Sequence, residues 1–149
     1  MRNAITLLKK DHKSVLKLFK KIRKTWDPDD PMLRSDLFHQ IREELTLHTQ
    51  VEEEIIYPVL ADIRTPESDD YHESARHDHQ EVKVLLDEMN HLDVSSDSFK
   101  ADMDRVIEIV EYHIREEEDE IFPLMKQYVA RTDLLAIGEQ IEERKAAHA

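Results

Sequence analysis

Cysteine is absent from all 149 residues. Disulfide scaffolds, thiol redox chemistry and thiolate metal sites are excluded with it. Any metal must therefore be held by nitrogen and oxygen. Glycine occurs once, at Gly138, and alternating β-branched runs with hairpin turn signals are missing, so the chain offers little from which to build a sheet. No apolar run approaches the ~20 residues of a membrane span. The first stretch, MRNAITLLKKDHKS, is amphipathic and charged, without the apolar core of a signal peptide. A soluble, cytoplasmic protein is the expectation. Positive charge is also scarce: 21 Lys and Arg stand against 34 Asp and Glu, for a net charge of -13 with His neutral. Nucleic-acid binding calls for a basic face, so neither nucleic acid nor membrane is expected as a partner. The acidity draws cations instead.

What is present is a foldable mixture, 40% hydrophobic and 37% charged. The length suits one domain, 1–149, with a substantial core. Apolar residues recur at helical spacing over long segments. The pattern predicts five helices: about Arg2 to Lys24, Met32 to Leu60, Asp70 to His91, Ser98 to Tyr128, and one from Thr132-Asp133 to about Ala147. The breaks fall at Asp27–Pro31, at Thr65-Pro66-Glu67 and at the cap-forming run Ser95-Ser96-Asp97-Ser98. Long helices joined by short connections favour antiparallel neighbours. The expected fold is all-α: an up-down antiparallel four-helix bundle of two helix-hairpin repeats, with a short fifth helix as a lid or a partner-binding tail.

The repeat is visible in the residues. His48-Thr-Gln-Val-Glu52-Glu-Glu-Ile-Ile-Tyr57-Pro58 superposes on His113-Ile-Arg-Glu-Glu117-Glu-Asp-Glu-Ile-Phe122-Pro123 at an offset of 65, without a gap. Asp11-His12 and Val15 superpose on Asp78-His79 and Val82 at an offset of 67. The halves run from about 2 to 60 and 69 to 128. Each carries one His on its first helix and His-x-x-x-Glu on its second.

His-x-x-x-Glu alone is weak evidence, because it also occurs at His39/Glu43 and His77/Glu81. A solvated i,i+4 pair is the ordinary meaning of that spacing and contributes only ~0.2 to 0.5 kcal/mol. Helix faces separate the copies. The stripe Leu37, Ile41, Leu45, Ile55 and Val59 leads onto His48 and Glu52, and Val106, Ile109, Val110, Ile121 and Leu124 lead onto His113 and Glu117. Ile5, Leu8, Val15, Phe19 and Ile22 share a face with His12; Val82, Leu86 and Met89 share one with His79. His39 and His77 fall on the opposite faces. Two glutamates aimed into an apolar core each cost several kcal/mol of solvation unless compensated. A divalent metal compensates, and imidazole with carboxylate suits Fe, Mn or Zn. The competing structure, a metal-free cluster of four His and two Glu, is costly to bury. Ferritin-like bundles use Glu-x-x-His, the reverse order at a different spacing.

His12, His48-x-x-x-Glu52, His79 and His113-x-x-x-Glu117 together resemble the duplicated motif of the hemerythrin-like, or HHE cation-binding, family. The match extends from about Ile5 to Met125. The resemblance implies two iron ions in an oxo- or hydroxo-bridged non-haem centre, with Mn or Zn as the other metals. His12, His48, His79 and His113 would bind terminally, and Glu52 and Glu117 would bridge. Oxygen-carrying hemerythrins have His-x-x-x-His on the third helix; here Ala75 stands four residues before His79. That position is left to water, hydroxide or another side chain, the candidates being His72, His77 or a Tyr. In those carriers the acid on the fourth helix stands five residues after its His, at Glu118 here; the repeat selects Glu117. The expected function is binding or sensing a small ligand (oxygen, nitric oxide or peroxide) in oxidative or nitrosative stress or iron homeostasis. The alternatives are a catalase-like di-iron enzyme and a metal-responsive module whose fifth helix takes a protein partner. His91 and His148 read as exposed, and Trp26 and Tyr128 as core or rim.

Overall fold

The computed structural model describes residues 2–148. Four long helical rods stand side by side. The first is α1, Ala4–Arg23. The second joins α2, Pro31–Val51, to α3, Tyr57–Ile63, through a π-helical turn at Glu52–Ile56. The third is α4, Pro66–Met89. The fourth joins α5, Asp97–Glu116, to α6, Phe122–Tyr128, through a second π turn at Glu117–Ile121. A fifth, α7, spans Arg131–His148. Helices α1 and α2 pack as one hairpin and α4 and α5 as another, and contacts of α1 with α5 and α2 with α4 close the ring. No strand occurs among the described residues.

The helix starts follow local chemistry. The Asn3 side chain accepts from Thr6 N, Asp30 from Leu33 N ahead of Pro31, and Ser96 from Phe99 N. Each satisfies an amide that the first helical turn leaves free. Helix α4 begins four residues before the expected Asp70. Thr65 and Ser68 form a reciprocal capping box there, and Pro66 in the first turn has no amide to lose. Likewise α7 starts at Arg131, so Thr132 and Asp133 lie inside its first turn and do not cap it.

The π turns are the larger departure. The Tyr57 and Phe122 amides each reach back five residues, to the Glu52 and Glu117 carbonyls. Pro58 and Pro123 follow directly. A proline inside a helix donates nothing and collides with the carbonyl four residues back. Widening the turn ahead of it relieves both problems without ending the rod. The extra residue also rotates what comes after. From the last residue of each turn onward the buried positions are Ile56, Tyr57 and Leu60 on one rod and Ile121, Phe122 and Met125 on the other. Ile55, Val59 and Leu124, expected on the inner stripe, are only half-buried.

The core divides in two. One cluster includes Val15, Phe19, Ile41, Met103 and Ile107. The other includes Leu8, Val51, Leu60, Tyr71 and Phe122. A polar layer containing His12, Glu52, His113 and Glu117, all buried, lies between them. Helix α7 covers the second cluster with Leu134, Ile137 and Ile141. It is the lid of the two expected alternatives. Arg144 donates to Glu54 at 2.9 Å and to Gln50 at 2.8 Å, and Lys145 donates to Asp11. Gly138 is where this lid meets the start of α1: a Cβ there would overlap the Arg2 carbonyl oxygen and stand 3.0 Å from the Asn3 carbonyl carbon. At the other end, buried Arg34 stacks 3.6 Å from the Trp26 ring and donates to Thr25, Asp29 and the Val94 carbonyl. Trp26 is thus a packed rim residue, whereas Tyr128 is exposed.

Candidate metal centre

All six residues singled out in the sequence meet in the polar layer. His12, His48 and Glu117 form one group and Glu52, His79 and His113 another, with the ligand atoms of each group within 4.8 Å of one another. The glutamates cross between the groups. Glu52 Oε1 lies 2.9 Å from His48 Nε2, 3.1 Å from His113 Nε2 and 3.5 Å from His79 Nε2. Glu117 reaches His12 Nε2 at 3.1 Å with one oxygen and His113 Nε2 at 3.2 Å with the other. Each carboxylate therefore faces imidazoles of both groups, as bridging would require.

Local structure explains the aim. Four helices each bring one His to the same level of the bundle. Glu52 and Glu117 follow their His by one turn and are the first residues of the two π turns. They are 0% and 1% exposed, against 35% for the side chain of Glu118. That difference supports Glu117 over Glu118 as the inward acid. His39 and His77 point to solvent. His77 is 80% exposed, and His72 packs beside Tyr57 at 5.1 Å between ring centroids, without a bond to the six residues. Of the candidates for the position of the missing His, these two histidines lie outside the cluster, and tyrosines lie within it. His77 faces solvent, and His72 stands seven residues before His79, about two helical turns along the axis from it. His91 and His148 are exposed, as expected.

Three histidines have an acidic partner on the ring nitrogen that faces away from the cluster. His12 Nδ1 donates to Glu118 at 2.7 Å, His48 Nδ1 to Asp11 at 3.4 Å and His79 Nδ1 to Glu53 at 3.3 Å. A carboxylate only accepts, so these bonds put a proton on Nδ1 and turn Nε2 inward. Metal-binding histidines are commonly oriented in this way. Of these acids only Glu118 was singled out in the sequence, as an alternative to Glu117, although the repeat carried the signal for all of them. Asp11 and Asp78 precede His12 and His79, and Glu53 and Glu118 follow Glu52 and Glu117.

Two tyrosines complete the layer. The Tyr71 hydroxyl donates to Glu117 and lies 3.3 Å from both Glu52 and His113 Nε2. The Tyr57 hydroxyl lies 3.1 Å from His79 Nε2. They pack in one apolar cluster with Ala75, which stands where the carriers have a His. The repeat places Phe122 opposite Tyr57, and Phe122 stacks on His12 at 5.8 Å. The two halves of the site are therefore alike in His and Glu but unlike in hydroxyls.

The electrostatics follow from burial and close charges. Burial opposes the charged form of His48, but Glu52, then Asp11, outweigh it and raise its pKa to about 10. His113 is also raised well above the usual range, against burial, by Glu52 and Glu117. Glu52 is held well below the usual carboxylate range because His48 and His113 overcome its own burial. Tyr57 and Tyr71 are pushed up by burial and by Glu52 and Glu117, so both keep their protons. Without a cation the cluster holds together through protons on histidine.

The donor set fits a metal. His12 Nε2, His48 Nε2 and Glu117 Oε1 are buried, and although His12 lies 3.1 Å from Glu117 and His48 2.9 Å from Glu52, none of the three atoms is aligned for a hydrogen bond. Such atoms are rare and expensive, and these three are the inward atoms of the first group. Imidazole nitrogen and carboxylate oxygen suit Fe, Mn and Zn.

Comparison with known proteins agrees with this geometry. The family model of the hemerythrin HHE cation-binding domain matches residues 3–125. The chain belongs to that family. An uncharacterized hemerythrin-like protein of Schizosaccharomyces pombe is 26% identical over 91% of this chain and 66% of its own length. A protein named DNA nickase from Nostoc sp. is 25% identical over 99% of this chain. The chain spans only 42% of that relative and just under two thirds of the yeast one. Among solved structures, a hemerythrin HHE cation-binding domain-containing protein of Mycobacterium kansasii, an Rv2633c homologue, superposes with a TM-score of 0.78 at 26% identity. The match covers 97% of this chain and 85% of that one.

Proposed function

We propose that this chain is a non-haem di-iron protein that binds or senses a small ligand such as oxygen, nitric oxide or peroxide, in stress defence or iron homeostasis. One observation carries the reading: two groups of three ligands, His12/His48/Glu117 and Glu52/His79/His113, stand side by side with each glutamate facing both. His12, His48, His79 and His113 would hold the ions from outside, and Glu52 and Glu117 would lie between them. A bound iron pair would supply open coordination positions and electrons for a small ligand. The protein supplies the rest. Asp11, Glu53 and Glu118 fix the imidazoles, and the apolar clusters on both sides limit water.

The test is direct. Iron-loaded protein should contain close to two ions per chain, and its absorption spectrum should change on exposure to air, nitric oxide or peroxide. A stoichiometry of one or none defeats the two-metal reading.

A second reading, peroxide decomposition, is favoured by the Tyr57 and Tyr71 hydroxyls. Both hydroxyls stand among the ligand atoms, Tyr71 beside Glu117 and Tyr57 3.1 Å from His79 Nε2, where a hydrogen-bond donor to a bound peroxide is needed. Steady-state oxygen evolution from peroxide separates the two: turnover supports the enzyme, and spectral change without turnover supports the sensor.

A further inference from the structure

A cavity of about 200 Å³ runs into the bundle and ends on the histidine layer. Its walls are asymmetric in chemistry. One end is formed by the histidines with Glu52, Asp11 and Asp78. The other is formed by Val15, Leu45, Val82 and Val110, with Ile109 and Ile114 beside them. The four collar residues have a common origin. Val15 and Val82 follow His12 and His79 by three residues, and Leu45 and Val110 precede His48 and His113 by three. In an antiparallel bundle those steps lead in the same direction, so the repeat builds a four-sided aliphatic collar one turn from the histidines. The collar residues are 5% to 8% exposed, whereas Ile41, Val106 and Ile107 deeper in the same cluster are 0% exposed. The collar thus borders open space. The mouth is polar: Ser14 donates to Glu44 at 2.9 Å across α1 and α2, and Lys145 of α7 donates to Asp11.

The volume exceeds what a diatomic ligand or peroxide needs, since a water molecule takes only about 30 Å³ in the liquid. Metal ions with ligand bonds of about 2.0–2.2 Å sit among the ligand atoms and consume little of it. Water gains nothing along the aliphatic wall, where it finds no partners, and an apolar cavity of roughly 150 Å³ is enough to take benzene. We propose that this cavity binds an uncharged, apolar organic molecule of about six to eight non-hydrogen atoms, a single ring or a short branched chain, held by the collar with one end at the histidine layer. The inference rests on the metal-centre reading only for what stands at the head of the cavity; the collar and the volume are independent of it.

Benzene is the probe, titrated by calorimetry into iron-loaded full-length protein whose iron content is measured on the same sample. One saturable site and a raised melting temperature are expected. Val110→Phe, which fills the collar, should weaken benzene by about tenfold or more while iron content stays unchanged. Should that variant not fold, Leu45→Ala decides: the enlarged collar should bind indole about tenfold more tightly than the parent does. Normal iron content without benzene binding overturns this inference and leaves the metal centre standing. Benzene binding in a protein that takes up no iron does the opposite. Benzene binding that neither variant alters places the molecule elsewhere and also overturns the inference.

Discussion

A carboxylate in the middle of a helix bundle is expensive, and at the residue scale that cost is what separates function from pattern. His-x-x-x-Glu occurs four times in the chain, but only Glu52 and Glu117 are buried with their histidines facing them. Glu52→Ala and His113→Ala should each lower bound metal sharply, and His39→Ala should not, by elemental analysis of the purified variants. Equal losses in all three would remove the basis for assigning the site by helix face. The outer acids have a smaller predicted effect. Glu118 accepts from His12 Nδ1, so Glu118→Ala should weaken metal affinity by roughly tenfold or more through a loosened imidazole. A competition titration with a chelator reads this, and unchanged affinity would make Glu118 a bystander. The inward residues and the repeat were legible in the sequence. The tyrosines were not resolvable from it, because nothing local distinguishes Tyr57 and Tyr71 from core aromatics until two helices meet.

At the scale of elements, five helices and their order could be read from periodicity and breakers, and the ends moved by a few residues where capping chemistry decided. The two π turns could not be read. Pro58 and Pro123 were visible inside helical pattern, but a proline is compatible with a kink, a stop or a widened turn, and packing on both sides selects among them. The role of α7 was open for a similar reason, since its sequence suits a lid or a free amphipathic helix. Gly138 gives a test of the docked lid. A methyl group there would overlap the Arg2 carbonyl, and backbone cannot step aside as a side chain can. Gly138→Ala should therefore destabilise by about 1–3 kcal/mol, despite a gain of roughly 1 kcal/mol in helix propensity. A urea unfolding midpoint at or above the parent's would contradict the close contact of α7 with α1.

For the whole molecule, the split core makes stability and metal occupancy a single problem. The polar layer lies between two apolar clusters, so whatever neutralises it joins the two ends of the bundle. In metal-free protein protons do this. The pKa of His48 is about 10 in the folded chain, against 6.5 for an unperturbed histidine. Its contribution is full below pH 6.5 and is lost as pH rises through about 10. Glu52 has the opposite sign: its contribution is present above its ordinary 4.5 and is lost as pH falls through its depressed value. Metal-free protein should accordingly lose stability to denaturant between pH 6.5 and about 10. Metal-loaded protein should melt higher and lose less over that range, because the cation replaces the protons. Parallel pH profiles with and without metal would show that the cluster is not linked to folding.

Legible in the amino acids alone were the helices, the two-hairpin repeat, the family resemblance and the six inward residues, because periodicity, spacing and the cost of a buried charge are local or pairwise properties. Assembly of the helices set the rest: which glutamate faces which histidines, which acids turn each imidazole, where two phenols join the layer, how α7 closes on α1, and the aliphatic collar. Those depend on atoms from three or four helices arriving at one level, and no single helix encodes that level.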